Sequence, residues 1–411
     1  MTEALPTLAF RKRNVARRRA LVRGGVARGT HLACGAASPS ARRGLSSPFL
    51  PSPVRFAEAL DPMSRILRSC GALVAFLVPA CSGKEGATPR LEASLYVALD
   101  QEHSEALVDL FTKESGIAVK ARFDNEAQKT VGLVNNLIEE SSRPICDVFW
   151  NNELAHTVRL AQKGLLEPYV SPAAARIPSQ WRDATGLWAG FAARARVIIV
   201  NTKRMGTDPA GWPKSIHDFA DPKWKGNCAI ARPLTGTTLT HFTALHEAMG
   251  AEAFGNWLDA LNANEVRWLQ SNGATMRETS KDDGDLLFAL TDTDDYHVAL
   301  QKGLSVGCVF PDQQEGGLGT MLIPNSVALV KGGPNPEAGR KLIDFVVSER
   351  VEALLAAAKS AQIPLRDGVV GPAAPSILPI DRFRPMVWDP AKVAAALEAR
   401  SAEFARRFGG G

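Results

Sequence analysis

The sequence predicts an α/β protein of two lobes, each a mostly parallel sheet flanked by helices, with a cleft between them. Three observations lead there. With 411 residues, 45% hydrophobic and 22% charged, the chain has a globular composition and more length than one hydrophobic core usually accommodates. From residue 91 onward, short apolar runs alternate with amphipathic stretches, the βα rhythm of a largely parallel sheet. One strand-like run, residues 191–201, is long enough to cross from one lobe into the other.

The formal charge of +5 suggests an acidic partner, but it is unevenly placed. Residues 1–62 hold eleven Lys/Arg against Glu3, Glu58 and Asp61, whereas residues 81–411 carry a net −5. The basic runs Arg11-Lys12-Arg13 and Arg17-Arg18-Arg19 lack the interleaved aromatics of a nucleic-acid arm, so no nucleic-acid partner is expected. Residues 1–62 read as an upstream extension, with Met63 as the translation start. Arg65 and Arg68 then precede the apolar run Gly71-Ala-Leu-Val-Ala-Phe-Leu-Val78 and small residues, the layout of a secretory signal over 63–80. The run is too short to span a bilayer as a mature helix. Val78-Pro79-Ala80-Cys81 resembles the bacterial lipobox, which makes Cys81 the expected lipidated residue and 82–90 a tether. An uncleaved anchor is the other reading, and it leaves the protein on the same side of the membrane. Cys146, Cys228 and Cys308 lie far apart, without metal-ligand spacing, and are expected to be buried thiols.

Residues 95–98 read as a strand, and 103–115 as a helix with Ala106, Leu107, Leu110 and Phe111 on one face, stopped by Gly116. Strand 117–123 is followed by helix 126–140, and buried strand 145–150 by a helix that Asn152 caps and that runs to Lys163. In strand 191–201, Arg194 and Arg196 stand at alternate positions and project from one face. The turn Asp221-Pro-Lys-Trp-Lys-Gly226 leads into strand 227–231 and helices 237–249 and 251–262. Strand 286–291 ends in the acidic run Asp292-Thr-Asp-Asp295, with a short helix 297–302 behind it. Residues 305–310 are expected to return the chain to the first lobe, followed by strand 321–330, one helix over 336–357 and a helical tail. The first lobe then comprises 91–197 and 308–360 and the second 198–307 and 361–411, joined by crossing strands near 196–200 and 306–310.

Ligands of open α/β sheets bind beyond the carboxyl ends of the strands. The loops there offer Asp100 and His103; Asn151, Asn152 and Glu153; Thr235-Gly236-Thr237; Asn272; and Asp292, Asp294 and Asp295. Several carboxylates converging in a cleft cannot all stay ionised unless a cation neutralises them. A cation is implied, either a hard metal ion such as Fe³⁺, Ca²⁺, Mg²⁺ or Mn²⁺ or an organic amine. The competing reading makes Asp292, Asp294 and Asp295 ligand-free charges favoured by a helix dipole. Arg194 and Arg196 either bind an acidic ligand group or pair with the carboxylates. Trp150, Trp188 and Tyr296 either line the cleft or belong to the core.

A resemblance rests on several short motifs taken in order. Tyr96 and Asp100 are followed by Asp147-Val-Phe-Trp150, Gly164-Leu-Leu-Glu-Pro168, Ala193-Arg-Ala-Arg-Val197, the 221–226 turn, Pro233-Leu-Thr-Gly236 and Ile363-Pro-Leu365. Over roughly residues 91–370 the chain resembles the ferric-iron-type periplasmic binding proteins, a class II solute-binding branch with relatives for thiamine and phosphonates. The resemblance implies a two-lobed class II fold, a monomer without enzymatic activity or cofactor, and an ABC permease in the cytoplasmic membrane as partner. In iron-binding members a histidine, a glutamate and two adjacent tyrosines hold the metal, and a Ser/Thr-Gly loop with asparagines holds an accompanying anion. Position by position, the histidine place falls on Asp100, with His103 one turn further on. The glutamate falls on Glu153 or, by strict count, Asn152; the tyrosines fall on Asp294 and Asp295; and one asparagine falls on Asp292. The implied metal ligands are therefore Asp100, Glu153, Asp294 and Asp295, with His103 as an additional candidate and Thr235, Gly236, Thr237 and Asn272 around the anion. Tyr96, Tyr169 and Tyr296 are dispersed, so no paired-tyrosinate site can be built. An organic amine such as thiamine, a polyamine or an aminoalkylphosphonate is the alternative ligand.

The rival class is a secreted hydrolase. Gly303-Leu-Ser-Val-Gly307 spells GxSxG, but it precedes a strand, where a nucleophile elbow needs strand, turn and then helix. His241 and His246 are five apart, where a metalloprotease helix needs four.

Overall fold

A computed structural model describes residues 91–99, 101–124, 131–371 and 374–409. Asp100 and Cys81, with the leader and lipobox, lie outside the described residues. The elements run β1 (Glu92–Val97), α1 (Gln101–Ser115), β2 (Ala118–Phe123), α2 (Val131–Glu139), β3 (Val148–Asn151), α3 (Leu154–Gln162), β4 (Leu166–Glu167), β5 (Ala189–Asn201) and α4 (Thr202–Met205). They continue with β6 (Cys228–Ala231), α5 (Gly236–Met249), α6 (Ala251–Ala263), β7 (Arg267–Leu269), α7 (Asn272–Thr279), β8 (Phe288–Asp292), α8 (Thr293–Gln301), β9 (Val306–Val309), β10 (Leu322–Val330), α9 (Pro336–Val346), α10 (Glu349–Ala357) and α11 (Pro390–Phe408).

The strand order is β2-β1-β3-β10-β5-β8-β6-β7, with β4 on β10 and β9 on β5. β1 pairs in parallel with β2 and β3, and β6 in parallel with β7 and β8, so each lobe has a parallel core of strands. β5 belongs to both lobes. Its first half pairs with β10 and its second half with β8 and β9, all antiparallel. Every residue of β5 is buried, as expected of a strand covered on both faces.

Several expectations need correction. Helix 336–357 is two helices, because the Ser348 hydroxyl accepts from Val351 N at 3.3 Å and starts a new N-cap. Glu153 rather than Asn152 occupies the N-cap position of α3. β9 runs antiparallel beside Ile198–Asn201 of β5, back toward the first lobe, and residues 310–321 complete the passage to β10. Ile363 bridges Ala193, so this part of the tail sits with the first lobe. α11 grips both lobes. Arg159 and Gln162 of α3 donate to Glu398 (2.7 Å) and to the Ala391 carbonyl (2.9 Å), while Arg407 bonds Asp259 of α6 and Phe404 packs on Phe242 of α5. The GxSxG run joins α8 to β9, in the order helix, turn, strand. Cys146 and Cys228 are buried free thiols, and the free thiol Cys308 is partly exposed.

β5 is bent in its first half. Ala192 has φ 35°, in the left-handed region that disfavours a Cβ, opposite a register shift at Pro324/Asn325. The bend is pinned by Glu352, whose Oε1 accepts from Ala192 N (2.8 Å) and Leu365 N (3.0 Å), and whose Oε2 meets Arg366 Nη1 at 2.7 Å with both side chains fully buried. Removing one partner of a buried pair leaves the other uncompensated, so Arg366→Met should cost about 3–5 kcal/mol in denaturant unfolding. A cost near zero would show the pair to be idle.

Candidate metal and anion site

The cleft is assembled from β5 outward. Arg196 and Asp292 are direct cross-strand partners between β5 and β8. Their side chains meet at 2.5 Å (Nη1 to Oδ1), with side-chain exposures of 0% and 4%. Thr237, in the first turn of α5, donates to Asp292 Oδ2 at 2.7 Å, and Asn272, the first residue of α7, donates to the same oxygen at 3.0 Å. Asn272 also donates to Thr237 Oγ1 (2.7 Å) and accepts from Thr238 (3.0 Å), while Arg196 reaches Thr237 and Thr238 at 3.3 and 3.4 Å. Burial pushes the Asp292 carboxyl up, but Arg196 and Arg194 outweigh it together with the bond from Thr237, so the group is held below the ordinary value and stays ionised.

Asp292 ends β8, and α8 begins at Thr293, inside the acidic run rather than behind it. Asp294 and Asp295 thus fall in the first turn of α8, where the helix dipole favours negative charge. Oxygens of Asp292, Asp294 and Asp295 come within 4.8 Å of one another. Gly236 opens α5 at φ +59°, a conformation that glycine adopts without strain, and this brings Thr235 and Thr237 to the cleft wall. The cavity has a volume of about 340 Å³.

Four cations also line the cavity: Arg194, Arg232, Arg277 and Lys302. Arg194 Nη1 lies 3.6 Å from Asp294 Oδ2, and its Nη2 donates to the Asn152 carbonyl. The electrostatic case for a ligand cation, made from the acids alone, is therefore corrected: the protein supplies part of the neutralising charge itself. Sequence reasoning missed Arg232, Arg277 and Lys302. Arg232 directly follows β6, and the strand-end rule that selected the acids also selects it.

The structure brings together Asn152, Arg194, Thr235, Gly236, Thr237, Asn272, Asp292, Asp294 and Asp295 around this cavity. Among the described residues, His103, Glu153 and Tyr296 do not line it. His103 lines a separate groove with Leu107 and Leu354, between α1 and α10. Tyr296 is buried and donates to Ser376 Oγ at 2.9 Å. Tyr96 donates to Glu140 and Tyr169 to Asp344, and burial followed by those hydrogen bonds pushes both phenols up to about 12. Trp150 lies in the core against Phe191, and Trp188 lines a different cavity.

Glu153 also lies apart from the three aspartates. Its fully buried carboxyl accepts from Thr240 of α5 and stands 3.4 Å from His156 Nε2. Burial pushes Glu153 up to about 7 against the opposing pull of Thr240 and Arg194, and burial followed by Arg159 pushes His156 down to about 3. Burial outweighs attraction here, and the two groups do not form an ion pair at neutral pH.

Comparison with known proteins follows the geometry closely. The family model described as "Bacterial extracellular solute-binding protein" matches residues 148–392. Iron uptake protein A1 of Synechocystis sp. is 29% identical over 305 residues, covering 71% of this chain and 80% of that protein. The major ferric iron-binding protein of Neisseria meningitidis serogroup A is 26% identical over 291 residues, covering 69% and 84%. The crystal structure of iron-bound HitA from Pseudomonas aeruginosa superposes with a TM-score of 0.66 at 26% identity, covering 76% of this chain and 99% of that one. The architecture is accordingly the class II binding-protein fold.

The folded-state value of Glu153 lies above the 4.5 of a free glutamate, so its stabilising protonation is complete below pH 4.5 and is lost as pH rises through about 7. Across that window the wild type should lose roughly 3 kcal/mol of stability relative to Glu153→Gln, with the difference flat on either side. Chemical unfolding of the two proteins in parallel, from pH 4 to 8, measures it; His156 acts on both and cancels. A difference that does not change with pH would show Glu153 to be ionised in the fold.

Proposed function

This chain belongs to the bacterial extracellular solute-binding protein family, and on that footing we propose that it is the capture component of an ABC importer with ferric iron as its cargo. The observation that carries the choice of cargo is the aspartate group at the end of β8: three carboxylates within 4.8 Å, hard oxygen donors of the kind Fe³⁺ prefers. Iron-named relatives covering about 70% of the chain support the same reading. Asp294 and Asp295 are the principal ligands in this proposal, standing where the resemblance implies paired tyrosines. Asp100 remains a candidate from the other lobe.

Capture proceeds by closure of the two lobes about β5, which removes water from the cleft and strengthens each oxygen–metal contact. The closed form presents both lobes to the permease that family membership implies. Attachment through a lipidated Cys81 is part of the proposal, supported by the apolar run and lipobox-like residues before it. Among the described residues, no helix is long and apolar enough to cross a membrane.

A second reading is favoured by the mixed signs of the lining. Arg277 and Lys302, which line the same cavity as the aspartates, suit a zwitterion, an aminoalkylphosphonate with its ammonium on the acids and its phosphonate on the bases.

A thermal-unfolding panel on metal-free protein separates the two. Fe³⁺ at a hundred times its dissociation constant should stabilise by about 2.7 kcal/mol. Asp294→Ala with Asp295→Ala should abolish that gain and leave the circular dichroism of the fold unchanged. Undiminished iron binding in the double variant would sink the site, and stabilisation by aminoalkylphosphonates alone would transfer the cargo to the second reading.

A further inference from the structure

Resting on the metal-binding reading, we infer that Asp292 is a built-in anion, so that the metal is held without an anion taken from solution. The family resemblance implies a Ser/Thr-Gly loop and asparagines that cradle a soluble anion. In this chain those donors already hold a carboxylate of the protein: Thr237 and Asn272 both donate to Asp292 Oδ2, at 2.7 and 3.0 Å. Asp292 Oδ1 is held by Arg196 at 2.5 Å. Arg196 is fully buried, and its Nε makes no hydrogen bond among the described residues, so Asp292 carries the charge balance of that guanidinium.

The lone-pair count completes the argument. A carboxylate offers about four acceptor positions. Arg196, Thr237 and Asn272 occupy three, and the group lies within 4.8 Å of Asp294 and Asp295. Asp292 is therefore bonded to the cleft floor on one side and has an acceptor position left for a metal held by its neighbours. A bound phosphate or carbonate in such a notch does the same work. A second anion entering it would meet a fixed negative charge and find the donors taken. Tethering the anion to β8 also avoids the entropy of capturing it from solution.

Two measurements test this. In the first, Fe³⁺ is supplied as its nitrilotriacetate complex, and the affinity of the wild type is followed by equilibrium dialysis as phosphate, bicarbonate or citrate is added. The affinity should change by less than about twofold, and native mass spectrometry should show iron retained without any anion, nitrilotriacetate included. A gain of about tenfold with added anion, or an anion retained with the iron, overturns the inference.

The second measurement needs no iron. Asp292→Ala leaves Arg196 and the donors facing an open notch, so the metal-free variant should be destabilised and rescued by acetate or phosphate in thermal unfolding. Asp292→Ala combined with Arg196→Gln removes the buried charge and should show no rescue. Acetate or phosphate stabilising the metal-free wild type as much as Asp292→Ala would overturn the inference. Should the wild type hold no iron in any anion, the proposed function fails, and the rescue comparison still decides the role of Asp292.

Discussion

A guanidinium removed from water is tolerated only where its charge is met in place. Arg196 stands on β5, which is shared by both lobes, and Asp292 meets it directly across the β5–β8 ladder. That contact sets much else. A slip of one residue would turn Arg196 to the opposite face and bury it unpaired, so the pair locks the register. The register fixes where β8 ends, which fixes where α8 starts, which places Asp294 and Asp295. Through Thr237 and Asn272 the same carboxylate draws the first turns of α5 and α7 to the cleft.

Much of this architecture was legible in the chain. The alternation of apolar runs with amphipathic stretches gave most of the strands and helices, and period-two reasoning put Arg194 and Arg196 on one face of a strand long enough to serve both lobes. What escaped had physical causes. Asn272–Thr279 buries Thr275, Met276 and Thr279, a helix face too polar to stand out by hydropathy. The apolar period runs on through Ser348, whose hydroxyl nevertheless caps a new helix. Glu153 reads as a cleft acid from its place after a strand; His156 stands one helical turn on, but Thr240, which its carboxyl meets, comes from a sequence position that pattern alone cannot bring to it. Of the cleft cations, Arg277 and Lys302 escape strand-end reasoning because they project from within and just beyond helices, whereas Arg232 follows β6 directly.

The contacts between the lobes show how such a molecule can be hinged without being loose. β5 is bent at Ala192 and pinned there by Glu352. Glu153 meets Thr240 from the opposite lobe, and α11 lies across α3 on one side and α5 and α6 on the other. On the cleft side, by contrast, the facing surfaces are lined by charged and polar side chains rather than by an apolar seam.

The strand order carries one more implication, about biosynthesis. β10 is the last of the described strands to be made, yet it sits in the middle of the sheet, between β3 and β5. Until residues 322–330 emerge, β2-β1-β3 and the strands that begin with β5 have bare edges where β10 will lie. Contacts this distant along the chain form late and slowly. For a member of a family described as extracellular, the consequence is that the sheet joining the two lobes can close only after the final third of the chain is made.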